Sequence, residues 1–475
     1  MDVTVVGSGP NGLAAAVICA RAGLKVQVLE AQSTVGGGAR TLPDPEFPQV
    51  AHDICSAIHP LALASPFFTD FDLGARGIEL VVPDISYANP LPGCRPAIAY
   101  RDLERTGDGL DQGDSWRRLL GPLVERGADV VALLLGDRRS LPPSIPAAAL
   151  LGLRILEQGT PLWSSLRGED ARALFTGVAA HAISPMPSVV SAGAGLLLAT
   201  LAHTSGWPVP VGGSQAIADA LIADLRAHGG VVEAGVTVRT PPSGVVLYDT
   251  APTALLEIYG GGLPNRYSRA LRRYRYGAGV AKVDFVLSED VPWRDRSLAA
   301  APTLHLGGSR QQMAVAERDV AAGRHAQWPM VLAAQSHVAD PSRIDPSGRR
   351  PLWTYAHVPA GSTVDQAAAV TAVLEHFAPG FSDTVLAVRS IPASRLHEHD
   401  ANYVDGDIGV GGTSITRALL GPTSRVDPWT TPIRGAYLCS SATPPGGGVH
   451  GMSGYYAART VLRREFGLGV PSLGP

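Results

Sequence analysis

The sequence predicts an α/β fold with a Rossmann-like parallel sheet to which distant parts of the chain contribute. Residues 3–6 (VTVV) are a short β-branched run, typical of a buried parallel strand, and a glycine-rich turn and an apolar helical segment follow them. The pattern returns late in the sequence, where residues 436–439 (AYLC) precede a second glycine-rich stretch. Strand, glycine turn and helix in both places favour one discontinuous nucleotide-binding domain.

Composition narrows the class of protein. The 475 residues are long enough for about two or three domains, and 45% apolar against 17% charged residues indicate a globular chain. A net charge of −3 points to neither nucleic acid nor an acidic polymer. The cysteines are scattered, which argues against a redox pair, a zinc site or a disulfide framework; they are Cys19, Cys55, Cys94 and Cys439. Asp2 stands where a signal peptide would carry positive charge, so we expect a cytoplasmic protein.

The first glycine-rich turn has the G-x-G-x-x-G spacing, in Gly7-Ser8-Gly9-Pro10-Asn11-Gly12. Residues 13–21 then predict a helix that stops near Gly23, and residues 25–29 predict a second strand that ends at Glu30. Strand, helix, second strand and terminal acid together indicate a dinucleotide site.

Each residue type in this turn has a physical reason. Gly7 allows a sharp turn, Gly9 lacks the Cβ that would strike a pyrophosphate, and Gly12 lets the helix pack on the strand. The helix N-terminus offers N–H donors and partial positive charge to phosphates. Glu30 is expected to accept hydrogen bonds from an adenosine ribose and to repel a 2′-phosphate.

The second turn, Gly446-x-Gly448-x-x-Gly451, follows a predicted strand and opens a helix predicted over residues 453–466. Beyond that helix the sequence has no further strand and no ribose-binding acid, so a complete second dinucleotide unit does not fit. The alternative is that both turns hold one long ligand, FAD, with the second helix N-terminus near the isoalloxazine ring, where reduced flavin is negative. A third glycine-rich loop, GGGART at residues 36–41, supports this.

The motifs GSGPNG, GGGARTL and YLCSSATPPGGGVHGMSGYYAA, with Glu30 between them, resemble the phytoene desaturase and retinol saturase family of FAD-dependent oxidoreductases, within the wider amine-oxidase-like flavoprotein group. The resemblance implies a glutathione-reductase-type FAD-binding fold interleaved with an α+β substrate domain. We expect the FAD-binding domain in residues 1–75, 206–260 and 426–475, and the substrate domain in residues 76–205 and 261–425.

The resemblance also implies the residues that contact noncovalently bound FAD. They are Gly7, Ser8, Gly9, Pro10, Asn11, Gly12, Glu30, Ala31, Gly37, Gly38, Ala39, Arg40, Val236, Ser441, Gly448, Val449 and Met452. One departure is visible: such proteins usually carry a strand hairpin after the segment at 231–238, and here PPSG (241–244) leads directly to the next strand. Val236 is still expected near the adenine through its backbone.

A long uncharged segment predicts part of the substrate domain. Residues 173–218 contain no Asp, Glu, Lys or Arg, and residues 188–203 within them predict a helix. That helix is shorter than the roughly 20 residues that span a bilayer. We expect a buried core helix, a wall of an apolar tunnel, or both.

Residues 266–276 (RYSRALRRYRY) interleave basic and aromatic residues. In isolation such a pattern suggests nucleic acid, which we do not expect here; a solvated helix face or a peripheral membrane contact with tyrosines at the headgroups are the alternatives.

The histidines and one lysine give candidates for chemistry. A metal cluster of His52, Asp53, Cys55 and His59 is not expected, because their spacing does not place them on one face. His59 and His450 are candidates for polar groups beside the isoalloxazine. Lys282 and Asp284 alternate in a predicted strand, so they are either an internal pair lining the site or a solvent face.

Together these features predict an FAD-dependent oxidoreductase that passes a hydride between flavin N5 and a C–C unit of an apolar isoprenoid, polyene or lipid-like substrate. One alternative is an amine-oxidase-like flavoprotein oxidase, which would need an aromatic cage and an acidic pocket in a chain with only 6% aromatic residues. The other is an FAD-binding interaction or assembly protein without turnover.

Overall fold

The computed structural model describes residues 1–93, 95–412, 414 and 420–475, so Cys94 lies outside the described residues. The described strands form a five-stranded sheet, a seven-stranded sheet and two short ladders. In chain order they are β1 (Val3–Val6), β2 (Val26–Glu30), β3 (Thr41–Pro43), β4 (Ala51–Asp53), β5 (Leu80–Val81), β6 (Ile85–Asn89), β7 (Ala97–Tyr100), β8 (Val209–Pro210), β9 (Val231–Ala234), β10 (Val245–Tyr248), β11 (Gly279–Leu287), β12 (Thr303–His305), β13 (Val331–Ala334), β14 (Arg350–Val358), β15 (Val385–Ile391) and β16 (Ala436–Leu438).

The helices connect these strands or cover the sheets. In chain order they are α1 (Pro10–Arg21), α2 (Pro66–Phe71), α3 (Leu103–Gly109), α4 (Gly113–Val124), α5 (Gly127–Leu135), α6 (Ile145–Gly159), α7 (Glu169–Ala179), α8 (Val189–Ala202), α9 (Gln215–Ala227), α10 (Ala254–Tyr259), α11 (Asn265–Arg272), α12 (Arg310–Ala321), α13 (Ser336–Ala339), α14 (Ala367–Phe377), α15 (Phe381–Thr384) and α16 (Met452–Val461).

The five-stranded sheet is parallel throughout, in the spatial order β16–β10–β1–β2–β9. Its register pairs Val6 with both Leu29 and Tyr248, so the carboxyl ends of β1, β2 and β10 meet at one edge. Parallel sheets bind ligands at this edge, and the register brings Gly7, Glu30 and Asp249 to it. Helix α1, buried from Asn11 to Ala20, packs between the sheet and its neighbours α9 and α16.

The seven-stranded sheet is mixed, in the order β15–β11–β14–β13–β12–β6–β7, with a parallel contact between β12 and β6. The strands of the five-stranded sheet all fall in the segments expected to bind FAD, and those of the seven-stranded sheet in the substrate segments. The division into domains stays a prediction. The predicted α/β class is confirmed: the five-stranded sheet is Rossmann-like, and the seven-stranded sheet with its helices forms a second α+β part.

Three local expectations can be compared with the described chain. Between Ala234 and Val245 the described residues contain no strand, in line with the missing hairpin. The helix expected over 188–203 is α8, which is largely buried and packs on α6 and α7. The helix expected over 453–466 is regular only to Val461, and a π-helical turn covers Leu462–Phe466. In the part of the chain that the structure describes, no helix has both the length and the apolarity to cross a bilayer.

Candidate functional site

A cavity of about 490 Å³ lies where the carboxyl edge of the five-stranded sheet meets the seven-stranded sheet. Its walls include both glycine-rich turns, the segment Cys55–Leu61, one face of α8, the strands β12–β14 and the segment 400–412. This volume is in the range of small-molecule sites. The two turns, distant in sequence, therefore border one continuous space.

The residues expected to bind FAD divide into two groups. One group lines the cavity: Gly9, Pro10, Asn11, Gly38, Ala39, Ser441, Gly448 and Val449. The other lies behind its wall or beside it: Gly7, Ser8, Gly12, Glu30, Ala31, Gly37, Arg40, Val236 and Met452.

The glycines of the first turn are required by close backbone approach. Gly7 has a φ of +101°, and a Cβ there would lie 2.6 Å from the carbonyl oxygen of Asp249. A Cβ on Gly12 would lie 2.5 Å from the carbonyl oxygen of Gly7. A Cβ on Gly9 would meet the Asp249 carboxylate at 2.6 Å. The turn is therefore packed against the end of β10 as well as open to a ligand.

Glu30 is held in place by the turn itself. Ser8 donates to its carboxylate from both the backbone N–H (2.9 Å) and the hydroxyl (2.6 Å), and the Gln32 N–H donates to its other oxygen (2.8 Å). The Val236 N–H donates to the Glu30 carbonyl (2.8 Å). These bonds fix the acid at the end of β2, with lone pairs left for a ribose diol.

The loop at 36–41 is tied to the first turn. The Gly36 N–H donates to the Ser8 hydroxyl (3.0 Å), and a Cβ on Gly37 would lie 2.8 Å from the Gly9 Cα. Arg40 is buried and donates to the carbonyls of Gly37 and His399, so its guanidinium holds the loop together. Arg40 therefore acts here as a structural cation.

His450 does not reach the cavity as a free polar group. Its Nδ1 accepts the Met452 N–H (3.0 Å) and its Nε2 donates to the Gly446 carbonyl (3.0 Å), so the ring closes the second turn and caps α16. Burial lowers the pKa of His450 to about 4. The hydrogen bond to the Gly446 carbonyl opposes this shift, because it stabilises the protonated ring. Both ring nitrogens bond to the backbone, and a catalytic role for His450 stays a prediction.

His59 lines the cavity, but its ring nitrogens are also engaged. The Ser214 hydroxyl donates to the Ser56 carbonyl (2.5 Å), so His59 Nε2 donates to the Ser214 oxygen (2.7 Å). Burial lowers the pKa of His59 to about 4, against the opposing field of Asp53. His59 thus borders the cavity with its Nε2 held by Ser214, and a role for it in the chemistry stays a prediction.

Lys282 and Asp284 form a buried ion pair on β11, so they are internal and not a solvent face. The ammonium lies 4.8 Å from the centre of the Trp353 ring. Burial lowers the pKa of Lys282, while Asp284 opposes that shift. Trp353 lines the cavity and Lys282 lies behind it, so a direct catalytic role for Lys282 stays a prediction.

The half of the cavity away from the glycine turns is apolar. It is bordered by Ile183, Val190, Ala194, Leu197 and Leu198 from α8 and the segment before it, as expected for a tunnel wall. On the opposite side β12, β13 and β14 contribute Thr303, Leu332, Ala334, Trp353 and Tyr355.

A histidine pair, one ring buried and the other half-buried, borders this apolar half. His181 and His305 contact each other through their Nε2 atoms (2.9 Å), and His305 Nδ1 donates to Asn89 Oδ1 (3.2 Å). Burial lowers the pKa of His181 to about 3, so the pair is uncharged at neutral pH. Of the described residues that line the cavity, none is a lysine or an arginine.

Asp249 and Asp400 are cavity residues that the sequence reasoning missed. Asp249 accepts the Gly12 N–H at 3.0 Å, and Asp400 lies across the loop from it, near Gly37. Asp249 directly follows a predicted strand, and the carboxyl ends of parallel strands meet, so its position was the available signal. Trp353 and Tyr355 were also missed, and they pack with ring centres 4.9 Å apart.

Asp53 is bonded to Arg343, and no group of three His, Cys, Asp or Glu within the described residues is arranged to hold a metal. In the segment 266–276, for which a solvated helix face and a membrane contact were the alternatives, Tyr267 and Tyr274 are buried and do not reach a headgroup level. A membrane contact there would rest on arginines and stays a prediction.

A larger open groove, about 1070 Å³, lies between α3, α4 and α6 and is lined by arginines, glutamates and leucines. None of its lining residues belongs to either glycine turn. The chemistry-bearing residues gather at the smaller cavity.

The donor set of the cavity fits a dinucleotide. Gly9 and the second turn leave backbone exposed, and the amide oxygen of Asn11 is buried without a hydrogen-bond partner among the described residues. Buried polar atoms are normally paired, so this one is consistent with a ligand contact. One feature opposes an anion: the Asp249 carboxylate already occupies the first turn of α1.

Known proteins resemble the chain over most of its length. Residues 5–70 match the model of an NAD(P)-binding Rossmann-like domain. The chain is 24% identical to the rat pyridine nucleotide-disulfide oxidoreductase domain-containing protein 2, and the match covers 97% of this chain and 93% of the rat protein. It is 27% identical to an uncharacterized Mycobacterium bovis protein, and that match covers 97% of each chain. Hydroxyneurosporene desaturase of Rhodobacter capsulatus is 53% identical, over 47 residues, 10% of each chain.

Solved structures share the architecture. A putrescine oxidase variant superposes with a TM-score of 0.62 at 18% identity, covering 98% of this chain and 99% of that one. Cyclohexylamine oxidase from Brevibacterium oxydans gives 0.58 at 14% identity, covering 98% and 99%. The chain thus has a Rossmann-like, FAD-binding oxidoreductase fold, and its match to the hydroxyneurosporene desaturase covers a short segment.

Proposed function

We propose that this protein binds FAD noncovalently and oxidises or reduces a C–C unit of a neutral, apolar substrate. The observation that carries the proposal is the single cavity that joins both glycine turns to the apolar face of α8. The apolar half of the cavity, where the substrate would lie, has no lysine or arginine among its described lining residues, so a carboxylate or phosphate there would lack a counter-charge. The pyrophosphate of FAD would lie instead at the first turn of α1, where backbone N–H groups stabilise an anion.

The chain offers separate holding residues for each end of the cofactor. Glu30, fixed by Ser8, suits the ribose, and Gly9 with Asn11 suits the pyrophosphate. The loop from Ser441 to Val449 suits the isoalloxazine. When bound, FAD supplies a two-electron acceptor or donor for interconversion of a C–C single and double bond.

The protein's own contribution is orientation and exclusion of water. Leu197, Leu198 and Trp207 present apolar surface to a substrate, and the histidine pair beside them is neutral. A charged or hydrated group placed there would lose solvation without a partner, so the cavity selects uncharged carbon skeletons.

The first experiment tests cofactor identity. Purified protein should be yellow and release FAD, near one per chain, on acid or heat denaturation. Recovery of NAD or FMN, or flavin that stays with the denatured protein, would contradict the proposal. Because one dinucleotide unit is available for FAD, NADH and NADPH should not bleach the bound flavin directly.

The second experiment tests substrate class. Anaerobic bleaching should be measured against polyenes, retinoids, fatty acyl compounds and amines. Ala194→Trp, which fills the cavity from α8, should abolish bleaching by the effective apolar compound, and Ala149→Trp on the exposed face of α6 should not. Bleaching that is equal in both variants would place the substrate elsewhere.

An amine oxidase activity is the second candidate, and the aromatic pair Trp353–Tyr355 on the cavity wall favours it. The similar fold of putrescine oxidase adds to this reason. Rapid bleaching by amines alone would select it, whereas stable FAD without bleaching by any compound would favour an FAD-binding protein without turnover.

A further inference from the structure

The carboxylate of Asp249 lies at the N-terminal turn of α1, the end of a helix at which phosphates commonly bind. The register between β1 and β10 places Asp249 beside Gly7, and its carboxylate accepts the Gly12 N–H at 3.0 Å. Gly12 lies in the first turn of α1, whose free N–H groups carry partial positive charge. The chain thus supplies its own anion to the helix end.

The surroundings of this carboxylate add negative charge. Asp249 is 5% exposed and forms no ion pair with any described residue. The carboxylates that face it are Glu30 on β2 and Asp400, and the thiol of Cys439, the residue after β16, is near. Arg40 is directed to backbone carbonyls instead. Burial, together with the negative charges of Asp400 and Glu30, raises the pKa of Asp249 to about 7. The N–H groups of Gly12 and Gly9 act in the opposite direction, because they stabilise the carboxylate.

We propose that Asp249 takes up one proton when a dinucleotide binds, so that the first turn is a proton-linked pyrophosphate site. This inference rests on the proposed function, because the ligand is the same FAD. A pyrophosphate brings further negative charge into a buried space that already holds two carboxylates and a carboxylate-capped helix. Protonation removes the repulsion and converts an acceptor into a donor.

The chemistry balances without any redox partner. The carboxylate and a solvent proton become a carboxylic acid; one oxygen still accepts the Gly12 N–H and the new O–H can donate to a phosphate oxygen. Binding of FAD should therefore weaken as the pH rises. Below about pH 7 the acid is already protonated and the dissociation constant is flat; above it the constant rises, by up to tenfold per pH unit.

The test is titration of apoprotein with FAD between pH 6 and pH 9, with wild type, Asp249→Asn and Glu233→Gln. Asn keeps the shape and an acceptor for Gly12 but does not titrate. We expect a flat, tight dissociation constant in Asp249→Asn, at least tenfold below that of wild type at pH 8.5. Glu233→Gln removes an exposed carboxylate on the neighbouring strand β9 and should match wild type.

Calorimetry of the wild type in two buffers with different ionisation heats needs no variant. Uptake of close to one proton per FAD at pH 8 supports the inference, and ADP should give the same uptake because it carries the pyrophosphate. FAD binding with no proton uptake and no pH dependence overturns it. If FAD binds none of the three proteins at any pH, the proposed function fails instead.

Unfolding of apoprotein gives a readout that does not depend on FAD. A buried acid with a raised pKa binds its proton more tightly when folded, so it lowers stability as the pH rises from about 4 to about 7. As the pH rises across this window, the free energy of unfolding of wild type should fall relative to that of Asp249→Asn. Parallel pH profiles for the two proteins would contradict the proposed state of Asp249.

Discussion

The two glycine-rich turns have the same sequence pattern, but the chain completes their helices in different ways. In the first turn the Asp249 carboxylate, from another strand, accepts an N–H of α1. In the second turn the neutral imidazole of His450, from within the turn, accepts the first N–H of α16. One helix end is balanced by a charge that can titrate, and the other by a group that burial keeps neutral.

The two turns also differ in which of their parts border the cavity. The first brings the helix start itself to the cavity, through Gly9, Pro10 and Asn11. The second brings the loop Ser440–Val449 to the cavity and keeps the helix start behind it. We therefore expect the first turn to govern cofactor affinity and its pH dependence, and the second to govern shape and, more weakly, flavin potential.

The largest effect should come from Gly9→Val. Its Cβ would lie 2.6 Å from the Asp249 carboxylate and its methyl groups would enter the pyrophosphate path. We expect strain of about 1–3 kcal/mol and loss of detectable FAD binding by flavin fluorescence titration. Gly152→Val on α6, where no atom lies within 4 Å of an added Cβ, is the control. Normal binding by Gly9→Val would remove the first turn from the site.

Glu30→Ala should follow in magnitude. The carboxylate receives three hydrogen bonds from Ser8 and Gln32, and it is expected to receive the ribose hydroxyls. We expect FAD affinity to fall by about 1.5–3 kcal/mol, the scale of a hydrogen bond to a charged group. Titration of Glu233→Ala should give the wild-type value. If Glu30→Ala also gives it, the adenosine end lies elsewhere.

His450→Ala tests the second turn. It removes the cap of α16 and the bond to the Gly446 carbonyl, and we expect the free energy of unfolding to fall by about 1–3 kcal/mol. Denaturant unfolding measures this. FAD affinity of the folded protein should change little, and a loss as large as that of Glu30→Ala would erase the contrast between the turns.

The smallest effect concerns the flavin potential. Gly448→Ala is a poor probe, because Gly448 has a φ of +125° and its Cβ would lie 2.9 Å from Leu61. Gly447→Ala is milder, with the nearest atom at 3.6 Å. We expect a midpoint potential lower by about 10–45 mV, which corresponds to about 0.5–2 kcal/mol, in anaerobic dye titration. The control variant Gly469→Ala should leave the midpoint potential unchanged. If Gly447→Ala also leaves it unchanged, the second turn has only a structural role and does not influence the flavin.

The sequence predicted the parts of this molecule that depend on local pattern. The run from β1 through α1 to Glu30, the helix α8 and the start of α16 follow from hydrophobic periodicity and glycine spacing. The environment of Asp249 depends on the register between strands far apart in sequence, so a local pattern does not contain it. The role of His450 and the burial of Tyr267 and Tyr274 depend on how loops and helices pack, which local sequence does not specify.

The interleaving of the chain has a consequence for how the protein is made. Gly9 and Gly448 border the same cavity, and strand β16, which pairs with β10, comes late in the chain. During synthesis the first turn leaves the ribosome long before its counterpart exists, so a nascent chain carries half a cofactor pocket. Under the proposed function, capture of FAD is therefore a late step in biogenesis, and a chain cut short before residue 436 lacks one wall of the cavity.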